Sequence, residues 1–395
     1  MAIRSVRDLD IAGKRVLVRV DFNVPLLPDG SVGDDTRLRA SLPTIRYLLE
    51  QGAAVISMSH LGRPKGGPDP KLSLRPVAAR LAELLGQPVQ FAPDCVGAET
   101  VALARSLRPG QVLLLENLRF HPEEERNDPA FAQQLAALAD LYVNDAFGAA
   151  HRAHASTAAI ARLLPSAAGL LMQREIEVLS GLLEAPKKPF GAIIGGAKIS
   201  SKIGVLEQLL ARIDLLVLGG AMANTFLKAQ GYAVGASLVE DGQLAVARQT
   251  LLTAEQRGVQ VILPVDVVIA DRFAADAALQ VVAVDGILPG WAVLDVGPQT
   301  VERIRQAVAR CATVLWNGPL GMFEFPAFAG GTLAVAHMLA DNPDIVSVVG
   351  GGESVAAVEQ AGLSDRITHV STGGGASLEL LEGKTLPGVA ALAQA

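Results

Sequence analysis

The sequence predicts an α/β protein of two domains, each built on a parallel sheet flanked by helices. Three observations lead there. Short β-branched or leucine-rich runs alternate with segments whose apolar residues recur at helical spacing, the rhythm of right-handed βαβ units. The runs are apolar throughout rather than alternating, which fits strands covered on both faces. The chain has 395 residues, half of them apolar and only 4% aromatic, so Ala, Val, Leu and Ile must build the interior. That length exceeds one comfortable core and implies two.

In chain order, the first-half strand candidates are 15–20, 53–58, 89–92, 112–115 and 141–143. The second-half candidates are 190–194, 215–218, 259–263, 313–316, 345–349 and 368–370. Helical spacing marks 38–51, 74–85, 130–138, 201–211, 244–257 and 301–309. Between the halves, Met172–Leu183 is a charged amphipathic helix candidate, stopped by Ala185-Pro186-Lys187-Lys188-Pro189. The domain boundary is expected near 171–189, and the mildly apolar tail from about Leu386 is expected to return to the first domain.

The formal charge of −6 argues against a general nucleic-acid binder. It is uneven: residues 1–172 carry 19 basic and 18 acidic side chains, the remainder 15 and 22. The near-neutral first half suits a small anion better. Cys95 and Cys311 are read as unpaired buried thiols. The N-terminus has charges where a signal peptide needs an apolar core. The longest uncharged segment, 325–340, holds Pro326, Gly330, Gly331 and His337. A soluble cytoplasmic protein without membrane contact is expected.

Five cationic side chains follow first-half strand candidates: Arg37, His60, Arg63, Arg119 and Arg152. In open parallel sheets ligands bind at the carboxyl ends of the strands, and arginines grip small anions through paired hydrogen bonds. An isolated arginine reads more readily as a solvated surface residue or a salt-bridge partner; several such loops together point to an anion site. Asp21 and Asn23, flanking Phe22, can read ligand hydroxyls or simply form an Asx-turn before Pro25. In His60-Leu61-Gly62-Arg63-Pro64, Gly62 allows a tight path and Pro64 ends any helix. His121, His154 and His369 read as ordinary polar or core residues, and no close His/Cys cluster for zinc stands out.

Second-half strand candidates end instead in glycine: Gly195-Gly196, Gly219-Gly220, Gly318, Gly350-Gly351-Gly352 and Gly373-Gly374-Gly375. Such turns, opening helices, let backbone amides approach a polyphosphate. Lys198 and Lys202 are four apart, which on a helix puts both ammonium groups on one face. The spacing is neither a Walker A loop nor the dinucleotide G-x-G-x-x-G turn. Trp316–Glu324 could hold a base, with Glu324 reaching ribose hydroxyls, and Glu353 could reach a phosphate-bound Mg²⁺. Structural glycines, and a glutamate favoured by the helix dipole, are the plainer accounts.

Taken in order, DFNVP, HLGRP, ENLRF, NDAFGAAHR, GGAKIS, GGAMANTF, WNGPLGMFE, GGGES and STGGGAS resemble phosphoglycerate kinase over nearly the whole chain. The resemblance implies two Rossmann-like domains facing each other across a cleft and joined by a hinge helix. Residues 1–171, with the tail from about 386 to 395, would bind 3-phosphoglycerate; 172–189 would be hinge helix and linker; 190–385 would bind nucleotide. It also implies reversible, Mg²⁺-dependent phosphoryl transfer from 1,3-bisphosphoglycerate to ADP, and a monomer. Asp21, Phe22 and Asn23 would hold the glycerate end. His60, Leu61, Gly62, Arg63, Arg119 and Arg152 would hold the non-transferred phosphate. Arg37, Lys198 and the amides of Gly374 and Gly375 would stabilise the group in flight. Lys202, Gly220, Asn317, Pro319, Glu324, Gly351, Gly352, Glu353 and Ser354 would form the nucleotide site. Where the family usually has GGGD this chain has Glu353, whose longer side chain suits a metal reached through a bound water. Ser201 stands where the family usually has aspartate.

The expected mechanism is in-line transfer after hinge closure. It rests on alignment and charge stabilisation without a general base, and on exclusion of water. A two-domain binding protein without chemistry would explain the arginines but leave Lys198, Lys202 and the glycine turns without a role. A dinucleotide-dependent oxidoreductase lacks its glycine fingerprint here.

Overall fold

The computed structural model describes residues 3–393, so the last two residues of the predicted tail lie outside it. The chain divides into two compact units: everything up to Glu177 together with the segment from Thr385 on, and Val178–Lys384.

The first unit holds six parallel strands: β1 (Arg15–Arg19), β2 (Ala54–Met58), β3 (Val89–Phe91), β4 (Val112–Leu114), β5 (Leu141–Asn144) and β6 (Ser166–Ala168). Their order across the sheet is β3-β4-β2-β1-β5-β6. Side chains alternate between faces along a strand. Val16 and Val18 of β1, with Val20 beyond its end, enter one cluster with Leu38, Ile45 and Leu48 of α1 (Thr36–Glu50) and Leu81 of α2 (Arg75–Leu85). Arg19 lies out of phase with those valines in β1, and it too is buried, at 1% exposure. The helices α3 (Ala98–Ser106) and α4 (Pro129–Ala136) complete the unit, with α13 (Pro387–Leu392), whose Gly388 N–H donates to Ala150 O at 2.8 Å. Helix α5 (Leu170–Glu184) contains the point at which the two units divide.

The second unit repeats the plan. β7 (Phe190–Ile194), β8 (Leu215–Leu218), β9 (Gln260–Ile262), β13 (Thr313–Asn317), β14 (Val346–Gly350) and β15 (His369–Val370) form a parallel sheet ordered β15-β14-β13-β7-β8-β9. Its helices are α6 (Ile203–Leu210), α7 (Gly220–Ala229), α8 (Leu244–Gln256), α9 (Pro298–Val308), α10 (Gly330–Ala340), α11 (Gly352–Gln360) and α12 (Gly375–Leu381).

Parallel sheets are not the whole account. β10 (Asp266–Ala270), β11 (Leu279–Ala283) and β12 (Ala292–Val296) make a separate antiparallel sheet that the sequence reading lacked. β11 is largely exposed, β12 is interrupted by Asp295, and β10 is a short run, 267–270, between Asp266 and Asp271. Asp266 and Asp295 have structural partners. Asp266 caps α9 by accepting from the amides of Gln299 and Thr300 at 2.9 and 2.7 Å. Asp295 accepts from Gly331 N at 2.9 Å at the start of α10. The short β6 and helices α3, α7 and α10 were also missed. The uncharged stretch 325–340 contains α10, buried along most of its length, and no described helix is long and apolar enough to cross a membrane. Cys95 and Cys311 are free and buried.

Candidate active site

Strand order sets the first constellation. β4, β2, β1 and β5 are consecutive neighbours, so the four loops that leave their carboxyl ends are adjacent. Phe22 N donates to Ser59 Oγ at 2.8 Å, and Gly62 N to Asn23 Oδ1 at 2.9 Å, tying the β1 and β2 loops. Asn117 accepts from Leu61 N at 3.1 Å and donates to Leu61 O and Leu72 O, tying β2 to β4. Asn23 therefore spends its carbonyl on the loop. Asp21 forms the Asx-turn, one oxygen accepting from Asn23 N at 3.2 Å, and its other oxygen pairs with Arg37 at 2.8 Å, a partner the sequence did not indicate. Burial pushes the Asp21 carboxyl up, but His60, Arg37 and Arg19 around it outweigh that and hold it below its ordinary value.

Arg37 lies in the first turn of α1 and is half-exposed. Arg119 NH1 donates to Gly62 O at 2.8 Å, and its Nε lies 3.1 Å from Glu125, an ion pair too poorly aligned for a hydrogen bond. Arg152 is exposed and donates to His151 Nε2 at 3.1 Å. Arg63 is exposed and makes no ion pair among the described residues.

His60 is not the cation the sequence suggested. It is 7% exposed, and burial, with Arg19, Arg119 and Arg37 near it, drives its pKa well below the ordinary value against the opposing pull of Asp21. Its Nδ1 lies 3.1 Å from Arg19 NH2, which has only protons to give, so Nδ1 accepts and the ring proton sits on Nε2. A neutral imidazole can still donate that proton to an anion.

Arg19 is the residue that sequence reasoning missed. Beyond His60, it donates to Ser156 Oγ at 2.8 Å and Val20 O at 2.5 Å. Ser156 in turn donates to the buried Glu124 through N at 2.9 Å and Oγ at 2.5 Å. A wholly buried cation, hydroxyl and carboxylate thus brace the loop that carries His60. The available signal was a charge inside the run Arg15-Val16-Leu17-Val18-Arg19-Val20. His154 sits against the same network, 3.7 Å from Glu124, its pKa pushed down to about 4 by burial and neighbouring arginines.

The second constellation follows from β15-β14-β13-β7-β8 standing side by side. Their glycine loops pack backbone to backbone: Gly195 N donates to Asn317 O at 2.9 Å, Gly196 N to Pro319 O at 2.9 Å, and Gly220 N to Leu320 O at 3.0 Å. Gly220 has φ +65°, and a Cβ there would lie 2.6 Å from Gly196 N, so this crossing admits glycine alone. Gly318 N donates to the buried Ser354 Oγ at 2.6 Å, joining the β13 and β14 loops. Gly351 has φ +89°, and a Cβ there would meet Asn317 Nδ2 at 2.9 Å.

The lysines do not share a helix face. Lys198 is extended and exposed, and Lys202 precedes α6, which starts only at Ile203. The half-buried Lys202 donates to Asn317 Oδ1. Burial pushes its pKa down, against the pull of Glu353 and Glu382. Ser201, exposed, donates to Lys198 O at 2.8 Å. Gly374 has φ +50° and stands just before α12, which begins at Gly375.

A cavity of about 220 Å³ opens beside these loops. Gly196, Gly220 and Pro319 line one side, Leu238, Phe273 and Val293 another, and Glu324 and Glu353 add carboxylates. The apolar wall comes largely from the antiparallel sheet and its neighbours, which is why the sequence did not reveal it. A hydrophobic slot bordered by glycine turns and by the carboxylates of Asp295, Glu324 and Glu353 can take a flat aromatic group bearing hydroxyls. Glu353 offers a hard oxygen donor that suits a hydrated divalent cation held mainly by phosphates.

A family model described as phosphoglycerate kinase matches residues 6–384. The phosphoglycerate kinase of Moorella thermoacetica is 59% identical over 394 residues, covering all of both chains. The cytosolic phosphoglycerate kinase of Triticum aestivum is 57% identical, covering 100% of this chain and 99% of its own. Among solved structures, that of phosphoglycerate kinase from Coxiella burnetii superposes with a TM-score of 0.88 at 42% identity, covering 100% of this chain and 99% of the other. The Pyrococcus horikoshii enzyme gives 0.82 at 32%, covering 99% and 98%.

Proposed function

From the premise that this chain belongs to the phosphoglycerate kinase family, whose reaction is glycolytic phosphoryl transfer between ADP/ATP and 3-phosphoglycerate, we propose how its residues divide that work. The observation that carries the proposal is the pair of strand-tip constellations. One presents guanidinium groups and a neutral imidazole; the other presents backbone amides and Lys202 beside an apolar slot.

The first unit binds 3-phosphoglycerate or 1,3-bisphosphoglycerate. Arg63, Arg119 and Arg152 neutralise the phosphate that stays behind, and His60 donates from Nε2. Asp21 orients Arg37 through their ion pair and accepts from the glycerate hydroxyl. Phe22, Leu61 and Gly62 shape the floor. The second unit binds ADP or ATP. The cavity beside Gly220 and Pro319 takes the base, Glu324 the ribose, and Lys202, held by Asn317, the phosphates together with the α11 amides from Gly352 to Ser354. A divalent cation accompanies the nucleotide; we assign it as Mg²⁺, reached by Glu353 directly or through a water, where it neutralises phosphate charge.

An acyl phosphate and ADP are both already anionic, so no group need remove a proton. What remains is alignment and stabilisation of charge on the equatorial oxygens, the task given to Arg37, Lys198 and the amides of Gly374 and Gly375. These groups belong to different units, so transfer requires the units to approach, with α5 as the hinge, and water to leave. A monomer in the cytoplasm suffices for this scheme. The test is ATP formation from ADP and 1,3-bisphosphoglycerate. Arg119→Ala should raise KM for the acyl phosphate alone, and Lys202→Met should raise KM for the nucleotide alone; loss of both affinities in either variant would refute the division.

A further inference from the structure

The fold brings together three side chains to which the kinase reaction gives no role. Asp94 and Cys95 follow β3, and His121 closes the loop after β4; β3 and β4 are neighbours, so residues 26 positions apart meet. One donor atom from each lies within 4.8 Å of the other two. His121 Nε2 is 2.7 Å from Asp94 Oδ1, and the same carboxylate oxygen accepts from the backbone N–H of Cys95. The sequence showed no close His/Cys cluster because the histidine is remote along the chain.

We propose that Asp94, Cys95 and His121 form a three-ligand site for a borderline-soft divalent ion, with zinc(II) as its natural occupant. Thiolate, imidazole and carboxylate together select such ions over Mg²⁺, which wants oxygen alone. Tetrahedral zinc with bonds of about 2.0–2.3 Å holds its donors roughly 3.5 Å apart, between the 2.7 Å of the Asp94–His121 contact and the 4.8 Å that bounds the group, so side-chain rotation must open that contact and draw the sulfur in. An entry path exists. Asp94 and His121 are partly exposed and both line a cavity of about 680 Å³. The Cys95 sulfur forms the buried back of the site, and the cavity side leaves the fourth position to water. Outer supports are present too: Cys95 N donates to Asp94 Oδ1 at 2.6 Å, Thr100 Oγ1 to Asp94 O at 2.9 Å, and the His121 ring stacks on Phe131.

Binding exchanges the Asp94–His121 hydrogen bond for three metal bonds. The thiol, kept protonated by burial, releases its proton to solvent as the S–metal bond forms. Thiolate and carboxylate then balance the dication. His121 stands two residues beyond Arg119, so an occupied site pins the far end of the loop that carries that arginine.

The experiment uses the full chain, stripped with chelator and kept reduced, titrated with Co²⁺ as a spectroscopic probe and then with Zn²⁺. The expected result is one equivalent of Co²⁺ giving a thiolate-to-metal charge-transfer band and tetrahedral d–d bands, displaced by Zn²⁺ but not by excess Mg²⁺, with one proton released per Zn²⁺. Cys95→Ser should abolish the charge-transfer band. His121→Asn, at a partly exposed position where misfolding is not expected, should weaken Zn²⁺ binding by about 100-fold or more, since even outer-shell partners are worth about 10-fold. Absence of a thiolate band at one equivalent, or a band that survives in both variants and so belongs to Cys311, overturns the proposal.

Discussion

Gly351→Ala tests the nucleotide half of the site at one atom. Gly351 has φ +89° and ψ 133°, a region open essentially to glycine, and a Cβ there would lie 2.9 Å from Nδ2 of the wholly buried Asn317. Holding alanine in that conformation costs about 1–3 kcal/mol. Relief requires either the β14 loop to move, displacing the amides at the start of α11, or Asn317 to turn, releasing Lys202. If the strain is expressed in the bound state, nucleotide affinity falls about 5- to 150-fold, at about 1.4 kcal/mol per tenfold. The assay is steady-state kinetics in the ATP-consuming direction, coupled to reduction of the acyl phosphate formed, with each substrate varied in turn. KM for ATP should rise by that factor while KM for 3-phosphoglycerate stays within about twofold. A thermal melt on the same samples separates strain from unfolding. An unchanged KM for ATP in a folded variant, or equal rises for both substrates, would refute the reasoning.

Arg37→Ala should lower kcat by about 100- to 1000-fold, the usual worth of one preorganised charge-stabilising donor, while binding of 3-phosphoglycerate stays measurable by calorimetry; equal loss of both would remove Arg37 from the transfer step. Arg19→Met leaves Glu124 buried without its cation, and urea unfolding should show about 3–5 kcal/mol of destabilisation, with Glu124→Gln as a second-site change recovering part of it. Burial pushes the carboxyls of Asp145 and Asp295 up to about 7. A raised folded-state value favours the protonated form on folding, so the contribution is complete below about pH 4 and is lost as pH rises through 7, at about 1.4 kcal/mol per unit for each group. Denaturant midpoints of Asp295→Asn should therefore fall less than those of the parent between pH 5 and 7; parallel curves would contradict the shift.

The two parallel sheets were legible because a strand buried on both faces writes an uninterrupted apolar run, as in Phe190–Ile194 and Leu215–Leu218. β12 is broken by Asp295, whereas β10 and β11 do carry apolar runs at 267–270 and 281–283 and escaped because no helical segment lies between them to complete a βαβ unit. Among candidate site residues, those at strand ends could be singled out by position, since a loop after a buried strand has few reasons to carry arginine. Charge state and partnership were not legible. His60 looks cationic in a string and is neutral in its burial. Lys198 and Lys202 have helical spacing, but the helix starts after both. Arg19 and the Asp94–Cys95–His121 group depend on contacts between strands, which no local pattern encodes.

The first unit is interrupted in sequence: Val178–Lys384 is a guest inserted into its host, and only afterwards does α13 dock, burying Leu386 and Leu392 and bonding Gly388 to Ala150. Ala150 stands two residues before Arg152. On the ribosome, the guest can therefore finish folding while its host still waits for a last apolar plug. A nascent chain stalled just short of Leu386 would carry a formed guest and an unbraced Arg152 loop, so the order of the first unit's strand-tip loops waits on α13.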